Sequence, residues 1–237
     1  MRIKVINPNT SEEMTASIGA IARAHAAPST EVVTVCPNKG PVSIESFYDE
    51  YLAIPQVLAE VMREEAEFDA FVLACWGDPG IEAVREITLK PVVGIAEASM
   101  YAANAIAPRW SVITTLRRSY QMVHSIVQRT GLGDRCASIR CVDMPVLDCE
   151  QNPAAIIEGL TIMGQQALRD DGAEALILGC AGMAGLDQIL SEDLGVPCVD
   201  AVAAGVRFAE MLVGMKLQTS KWLTYRTPEP KLYKGME

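Results

Sequence analysis

The chain has 237 residues with 20 Lys and Arg against 30 Asp and Glu, a net charge of −10; half of its residues are hydrophobic and about a fifth are charged. That is the composition of a globular protein with room for one large α/β domain or two small ones. The acidic balance argues against nucleic-acid and anionic-membrane partners, and the longest uncharged apolar stretch, "ALILGCAGMAGL" from Ala175, is too short to span a bilayer.

In chain order, a first strand is expected at residues 3–6, with no signal-peptide pattern ahead of it, which implies a cytoplasmic protein. Thr10-Ser11-Glu12-Glu13 fits a capping box opening a helix whose apolar face carries Met14, Ile18 and Ile21. Apolar runs predict further strands at residues 31–35, 70–74 and 92–95, then at 110–113, 138–142, 175–178 and 197–199. Helical stripes lie between them, at Met122, Val123, Ile126 and Val127, and at Ile156, Leu160, Met163 and Ala167. Alternation of this kind implies parallel sheets with crossover helices. The tail from Gln218 has little periodicity; it covers its own lobe or a neighbour's, and a homo-oligomer is expected.

The two halves of the chain look alike. "DAFVLACWGDPG" from Asp69 aligns with "EALILGCAGMAG" from Glu174, and the strand entering Asn7 aligns with the strand entering Thr114. Asn7 precedes Cys75 by 68 positions and Thr114 precedes Cys180 by 66; Cys75 precedes Pro91 by 16 and Cys180 precedes Pro197 by 17. The expected fold is therefore α/β, with two similar lobes, each a four-stranded parallel sheet flanked by helices, related by a pseudo-twofold axis. The expected lobes are residues 1–97 plus 204–237, and residues 98–203. Ligands of open parallel sheets bind beyond the carboxyl ends of the strands, so the interlobe cleft is the expected site.

Seven cysteines lie at 36, 75, 136, 141, 149, 180 and 198, with no Cys-x-x-Cys pair and two histidines in the chain, so neither a zinc site nor any other metal is expected. Most cysteines of a reducing compartment are inert core residues. Cys75 and Cys180 differ because each ends a buried strand and precedes a turn into a helix. Asp78-Pro79 reads as an N-cap with proline at the first helical position. Backbone N–H groups there would stabilise a thiolate, or the oxygen of an enolate formed beside a carbonyl. A thiolate on one face of a carbon and a thiol on the other suffice to invert a stereocentre without any cofactor.

"INPNTS" at residues 6–11, "GPVSIES" at 40–46, "ACWGDPG" and "LGCAGM" are similar to motifs of the aspartate/glutamate/hydantoin racemase superfamily, and within it the chain looks most like hydantoin and allantoin racemases. The resemblance runs the length of the chain. It implies a cofactor-independent two-thiol racemase of 5-monosubstituted hydantoins, or of allantoin or another substrate of amino-acid type, acting on a small neutral cyclic ureide. Cys75 and Cys180 match the family's catalytic pair. Trp76 stands where phenylalanine or tyrosine is expected, which bears on pocket shape.

Position near the strand ends nominates Asn7, Ser43, Trp76, Gly77, Thr114, Thr115, Gly179, Ala181 and Gly182 for substrate binding. Asn7 either holds substrate or shapes the Asn-Pro-Asn turn. Glu45 either lines the rim or braces its loop. Trp76 is a cavity wall or a core residue with a bonded indole N–H. Gly179-x-x-Gly182-x-x-Gly185 with Asp200 weakly resembles a phosphate-binding turn, but its spacing is not that of a dinucleotide fingerprint. A cysteine hydrolase would need His25 or His124 near a thiol, and neither falls at a strand end. A decarboxylase of this fold keeps one thiol, and a non-catalytic binding lobe needs none.

Overall fold

Continuous apolar runs become strands wherever both faces of a sheet are covered. The structure, a computed structural model, describes residues 1–234. Its first sheet contains β1 (Arg2–Ile6), β2 (Glu31–Val35), β3 (Ala70–Leu73) and β4 (Val92–Gly94), in the order β2-β1-β3-β4. The second contains β5 (Trp110–Thr114), β6 (Cys136–Cys141), β7 (Ala175–Leu178) and β8 (Cys198–Val199), in the order β6-β5-β7-β8. Every pairing is parallel. β1 therefore corresponds to β5 and β3 to β7, as the two-lobed reading expected. All residues of β3, β5 and β7 are buried, which is why they read as uninterrupted apolar runs.

Around the first sheet lie α1 (Glu12–His25), α2 (Phe47–Met62), α3 (Ile81–Ile87) and α4 (Ile95–Ile106). The second half adds α5 (Tyr120–Arg129), α6 (Val146–Gln151), α7 (Pro153–Asp171), α8 (Asp187–Leu194) and α9 (Ala201–Gly214). The stripes behave as their spacing predicts. Met14 and Ile18 are buried while Ile21 is half-buried; Met122, Val123, Ile126 and Val127 are all buried.

One core cluster runs through both halves, joining Val5, Val72 and Ile95 to Trp110, Val112 and Ile177. Separate clusters fill the outer faces of the two sheets, around Phe71 and Val57 on one side and around Leu160 and Leu176 on the other. α4 packs on β4 and also on β7, and α9 lies on β3, β4 and α1. Residues 97 and 203, after which the expected lobe boundaries fall, lie in α4 and α9. α9 approaches closely because Gly205 has no side chain: a Cβ there would meet Ile95 Cγ2 at 2.9 Å and Val72 Cγ1 at 3.1 Å. Among the described residues no helix is long and apolar enough to cross a membrane.

Two local expectations are corrected. The cap of α1 is Ser11 alone, whose Oγ accepts from the Met14 N–H at 3.2 Å, while Thr10 Oγ1 donates to the Pro41 carbonyl. No box forms, because with Ser11 at the cap the third helical position is Met14, and Glu12 and Glu13 fall earlier in the first turn. Nor does Asp78-Pro79 open α3. That helix starts at Ile81 with Gly80 at the cap, and the Asp78 carboxylate caps α4 instead.

Candidate active site

The carboxyl ends of β1 and β3 face those of β5 and β7 across one cavity of about 60 Å³. The first lobe contributes Asn7, Ala74, Cys75, Trp76 and Gly77; the second contributes Thr114, Thr115, Gly179, Cys180 and Ala181. The two thiols, coming from equivalent strand ends and each half-buried, thus open onto the same cavity. Both lie in short turns that lead away from a strand. Gly77 N–H donates to the Cys75 sulfur, and Gly182 N–H donates to Cys180 Sγ at 3.4 Å.

Of the nominated residues, two stand outside the lining. Ser43 is half-buried in the loop, and its neighbour Ile44 faces the cavity in its place. Gly182 acts on Cys180 from behind. Asn7 does line the cavity, but its Nδ2 is committed to Asn9 Oδ1 at 2.8 Å and Thr15 Oγ1 at 2.9 Å, so it shapes the turn as well. Trp76 turns out to be both things at once: a cavity wall, 4 % exposed, with its indole N–H donating to Ser99 Oγ at 3.2 Å. Thr114 Oγ1 donates to the Gly179 carbonyl at 3.2 Å, tying β5 to the Cys180 turn.

Several lining residues were not nominated from sequence. Asn9 reaches the cavity with an amide whose Nδ2 has the Met14 sulfur, a weak acceptor, at 3.3 Å. Met14, Met122, Val123, Ile126 and Val146 complete an apolar wall. The stripes of α1 and α5 announced Met14, Met122, Val123 and Ile126 as buried, but nothing in a stripe says whether it faces a core or a cavity. His25, at the end of α1, and His124, stacked on Tyr120, do not line the cavity. No side chain in the lining is charged. Among the described residues no three His, Cys, Asp or Glu side chains converge as a metal would require.

The electrostatics differ from a simple helix-end expectation. Burial pushes the Cys180 thiol up to about 12, helped by Cys149 and opposed by the Gly182 N–H. Cys75 is pushed higher still, by burial first; its Gly77 hydrogen bond opposes this, and Cys180, Glu50 and Asp78 add to it. Desolvation thus outweighs the N–H donors, and both resting sulfurs are protonated at neutral pH. That a charge on Cys180 acts on Cys75 reflects their closeness in one low-dielectric space.

Glu45 braces the cavity. Its Oε1 accepts from the Val146 N–H at 2.9 Å, and its carbonyl accepts from Ser119 Oγ at 3.4 Å, so the loop at 40–46 of one lobe is strapped to α6 and α5 of the other. Glu45→Ala is expected to raise KM about fivefold with kcat changed less than about twofold, since a charge-assisted hydrogen bond contributes about 1 kcal/mol when partly exposed. Steady-state kinetics check this; an unchanged KM would show that the loop holds its place without the strap.

The chain matches the family model described as Asp/Glu/Hydantoin racemase over residues 3–209. It is 51 % identical over 236 residues to a hydantoin racemase of Pseudomonas sp. (strain NS671), covering 99 % of this chain and 95 % of that one. Among solved structures it is similar to an allantoin racemase from Klebsiella pneumoniae, with TM-score 0.96 and 43 % identity over 100 % of this chain and 97 % of that one. An allantoin racemase from Pseudomonas fluorescens superposes with TM-score 0.97 and 42 % identity, covering 99 % of this chain and 100 % of that one.

Proposed function

The chain belongs to the Asp/Glu/hydantoin racemase family, and we propose that it racemises 5-monosubstituted hydantoins with Cys75 and Cys180 as paired base and acid. It is an isomerase of the racemase type. The observation that carries the mechanism is the pair of thiols opening onto one cavity with no charged side chain in its lining.

The hydrogen at C5 of a hydantoin is acidic because the carbanion left behind delocalises onto the C4 carbonyl. One thiolate removes that proton from one face, leaving a thiol and an enolate. The opposite thiol then donates its proton to C5 from the other face, becoming the thiolate. Net charge is conserved, no electron leaves the substrate, and the reverse reaction exchanges the roles. Thr115 and the Asn9 amide line the space in which the enolate oxygen would develop charge, and fixed donors there stabilise it more than water could, while Thr114 stays on the Gly179 carbonyl. An uncharged lining suits a neutral cyclic ureide. Gly77, Gly179 and Ala181 keep the approaches to the sulfurs narrow and free of bulk.

Allantoin is the second reading, supported by the structural similarity to allantoin racemases. The wall of Met14, Ile44, Met122, Val123, Ile126 and Val146 favours the hydantoin reading, because an apolar wall accommodates an aliphatic 5-substituent better than the polar ureido group of allantoin. A cytoplasmic setting would keep both sulfurs reduced. A homo-oligomer would cover the tail, where Trp222 is 82 % exposed.

The test uses optically pure L- and D-5-isopropylhydantoin, and separately pure allantoin, with enzyme in D₂O. The expected result is decay of optical rotation to zero from either hydantoin enantiomer, with deuterium appearing at C5 faster than in enzyme-free controls. Constant rotation with both hydantoin enantiomers rejects the hydantoin reading; racemisation of allantoin alone replaces it with the second.

A further inference from the structure

Asp78 takes no part in the proton transfer, yet it is 1 % exposed and sits three residues beyond Cys75. Its two carboxylate oxygens accept from the backbone N–H groups of Ala96 at 3.0 Å and Glu97 at 3.1 Å, in the first turn of α4. The residue at the N-cap position of α4 itself is Gly94, which has no side chain to cap with. A Cβ on Gly94 would overlap the Asp78 carboxyl group, so the glycine leaves the space that the carboxylate fills. The cap of α4 is thus supplied by the loop that carries the thiol.

The backbone of residue 78 completes the arrangement. Its N–H donates to the Cys75 carbonyl at 2.9 Å, and its own carbonyl accepts from Ile81 at 3.2 Å. Its φ is +44°, a left-handed conformation that Asp and Asn tolerate better than other side chains with a Cβ. One residue therefore closes the turn behind Cys75 and bolts that turn to a helix belonging to another part of the chain.

This is an expensive way to cap a helix. Burial, with Glu97 close by, pushes the Asp78 carboxyl up to about 7, against the two N–H bonds and Arg129. A serine at the cap position would satisfy the same N–H groups without a buried charge. The charged groups facing Asp78 are Glu97 on α4, itself paired with Arg85, and Arg129 on α5, paired with Glu82. Across the turn lies Cys75, on which Glu50 of α2 also acts.

We infer that Asp78 is a positioning residue for Cys75: its carboxylate ties the thiol-bearing turn to the N-terminus of α4 and places a negative charge in the same turn as that sulfur. The inference rests on reading Cys75 as one of the two proton-transfer groups. Asp78→Asn preserves the shape and the left-handed backbone, removes the charge, and turns an NH₂ toward one of the two N–H donors.

The experiment measures hydantoin racemisation together with the second-order rate of Cys75 alkylation by iodoacetamide at about pH 8.5, read on the Cys75 peptide by mass spectrometry. In Asp78→Asn, kcat should fall about tenfold, with KM within about twofold, because the sulfur is misplaced while the substrate contacts remain. The alkylation rate should rise about threefold or more, because losing the neighbouring negative charge favours the thiolate, whose fraction far below the pKa scales directly with the shift. A wild-type kcat, or a lost kcat with an unchanged alkylation rate, overturns the inference; the second outcome marks a merely structural brace. Should circular dichroism show Asp78→Asn unfolded, Gly94→Ala decides. There the charge stays but the carboxylate is displaced, and a kcat loss with an alkylation rate changed more than about twofold in either direction supports the inference, while an intact kcat or an unchanged rate overturns it. If wild-type enzyme fails to racemise any hydantoin or allantoin, the functional reading fails, and the alkylation rates still decide the role of Asp78.

Discussion

Cys75→Ala and Cys180→Ala should each lose racemisation by about 10³-fold or more in kcat, equivalent to about 4 kcal/mol of transition-state stabilisation. Inverting C5 requires a proton taken on one face and given on the other. With one sulfur deleted, the other can still remove the proton on its own side, and solvent deuterium can return there with retention. Each variant should therefore exchange C5–H for deuterium in one enantiomer only, and the two variants should prefer opposite enantiomers. The double variant should exchange neither. Alanine opens a small void and releases one half-buried backbone N–H, that of Gly77 or Gly182, from a weak bond to sulfur, so the melting temperature should move little and the loss can be assigned to chemistry. Racemisation retained within about tenfold of wild type by either single variant would remove both cysteines from their roles as base and acid.

The second large effect is on pH dependence. In the free enzyme both sulfurs are thiols at neutral pH, held there mainly by burial. The competent form has one thiolate and one thiol, so its population grows with pH until the more acidic sulfur, Cys180 at about 12, is titrated. kcat/KM should then rise by about tenfold per pH unit from pH 7 to 9.5. A profile flat across that interval would mean that the base is already ionised and that the site is wetter than its burial suggests. The same cause acts on stability. Because the folded-state pKa of Cys180 lies above that of a free thiol, the native state keeps its proton longer than the unfolded chain. The stability associated with that proton is complete below about pH 8.5 and is lost as pH rises towards 12. The melting temperature should accordingly fall above pH 9, and fall less in Cys180→Ala.

Much of the architecture could be read from residue order. Strands buried on both faces are continuous apolar runs, so β3, β5 and β7 announced themselves within a residue of their observed ends. The near-equal spacing of Asn7, Cys75, Thr114 and Cys180 reflects two sheets with one strand order. What local sequence does not contain is a partner's identity. Asp78 has every mark of an N-cap, but the helix it caps begins at Ile95 rather than Ile81. Ser43 and Ile44 are adjacent in an irregular loop with no period to say which faces inward. The thiol acidities follow the same pattern. A turn after a strand is visible in sequence, and it argues for a lowered pKa. Desolvation depends on everything that packs around the sulfur, and in this cavity it dominates.

The cavity is a near-twofold object with one conspicuous breach: after Cys75 comes Trp76, and after Cys180 comes Ala181. Mirror-image substrates have equal free energy in solution, so their interconversion has an equilibrium constant of one. That thermodynamic identity compels equal specificity constants for the left- and right-handed forms, however lopsided the walls. An indole in one half of the lining and a methyl group in the other can therefore express themselves only by letting turnover number and Michaelis constant climb or drop together for one hand relative to the other.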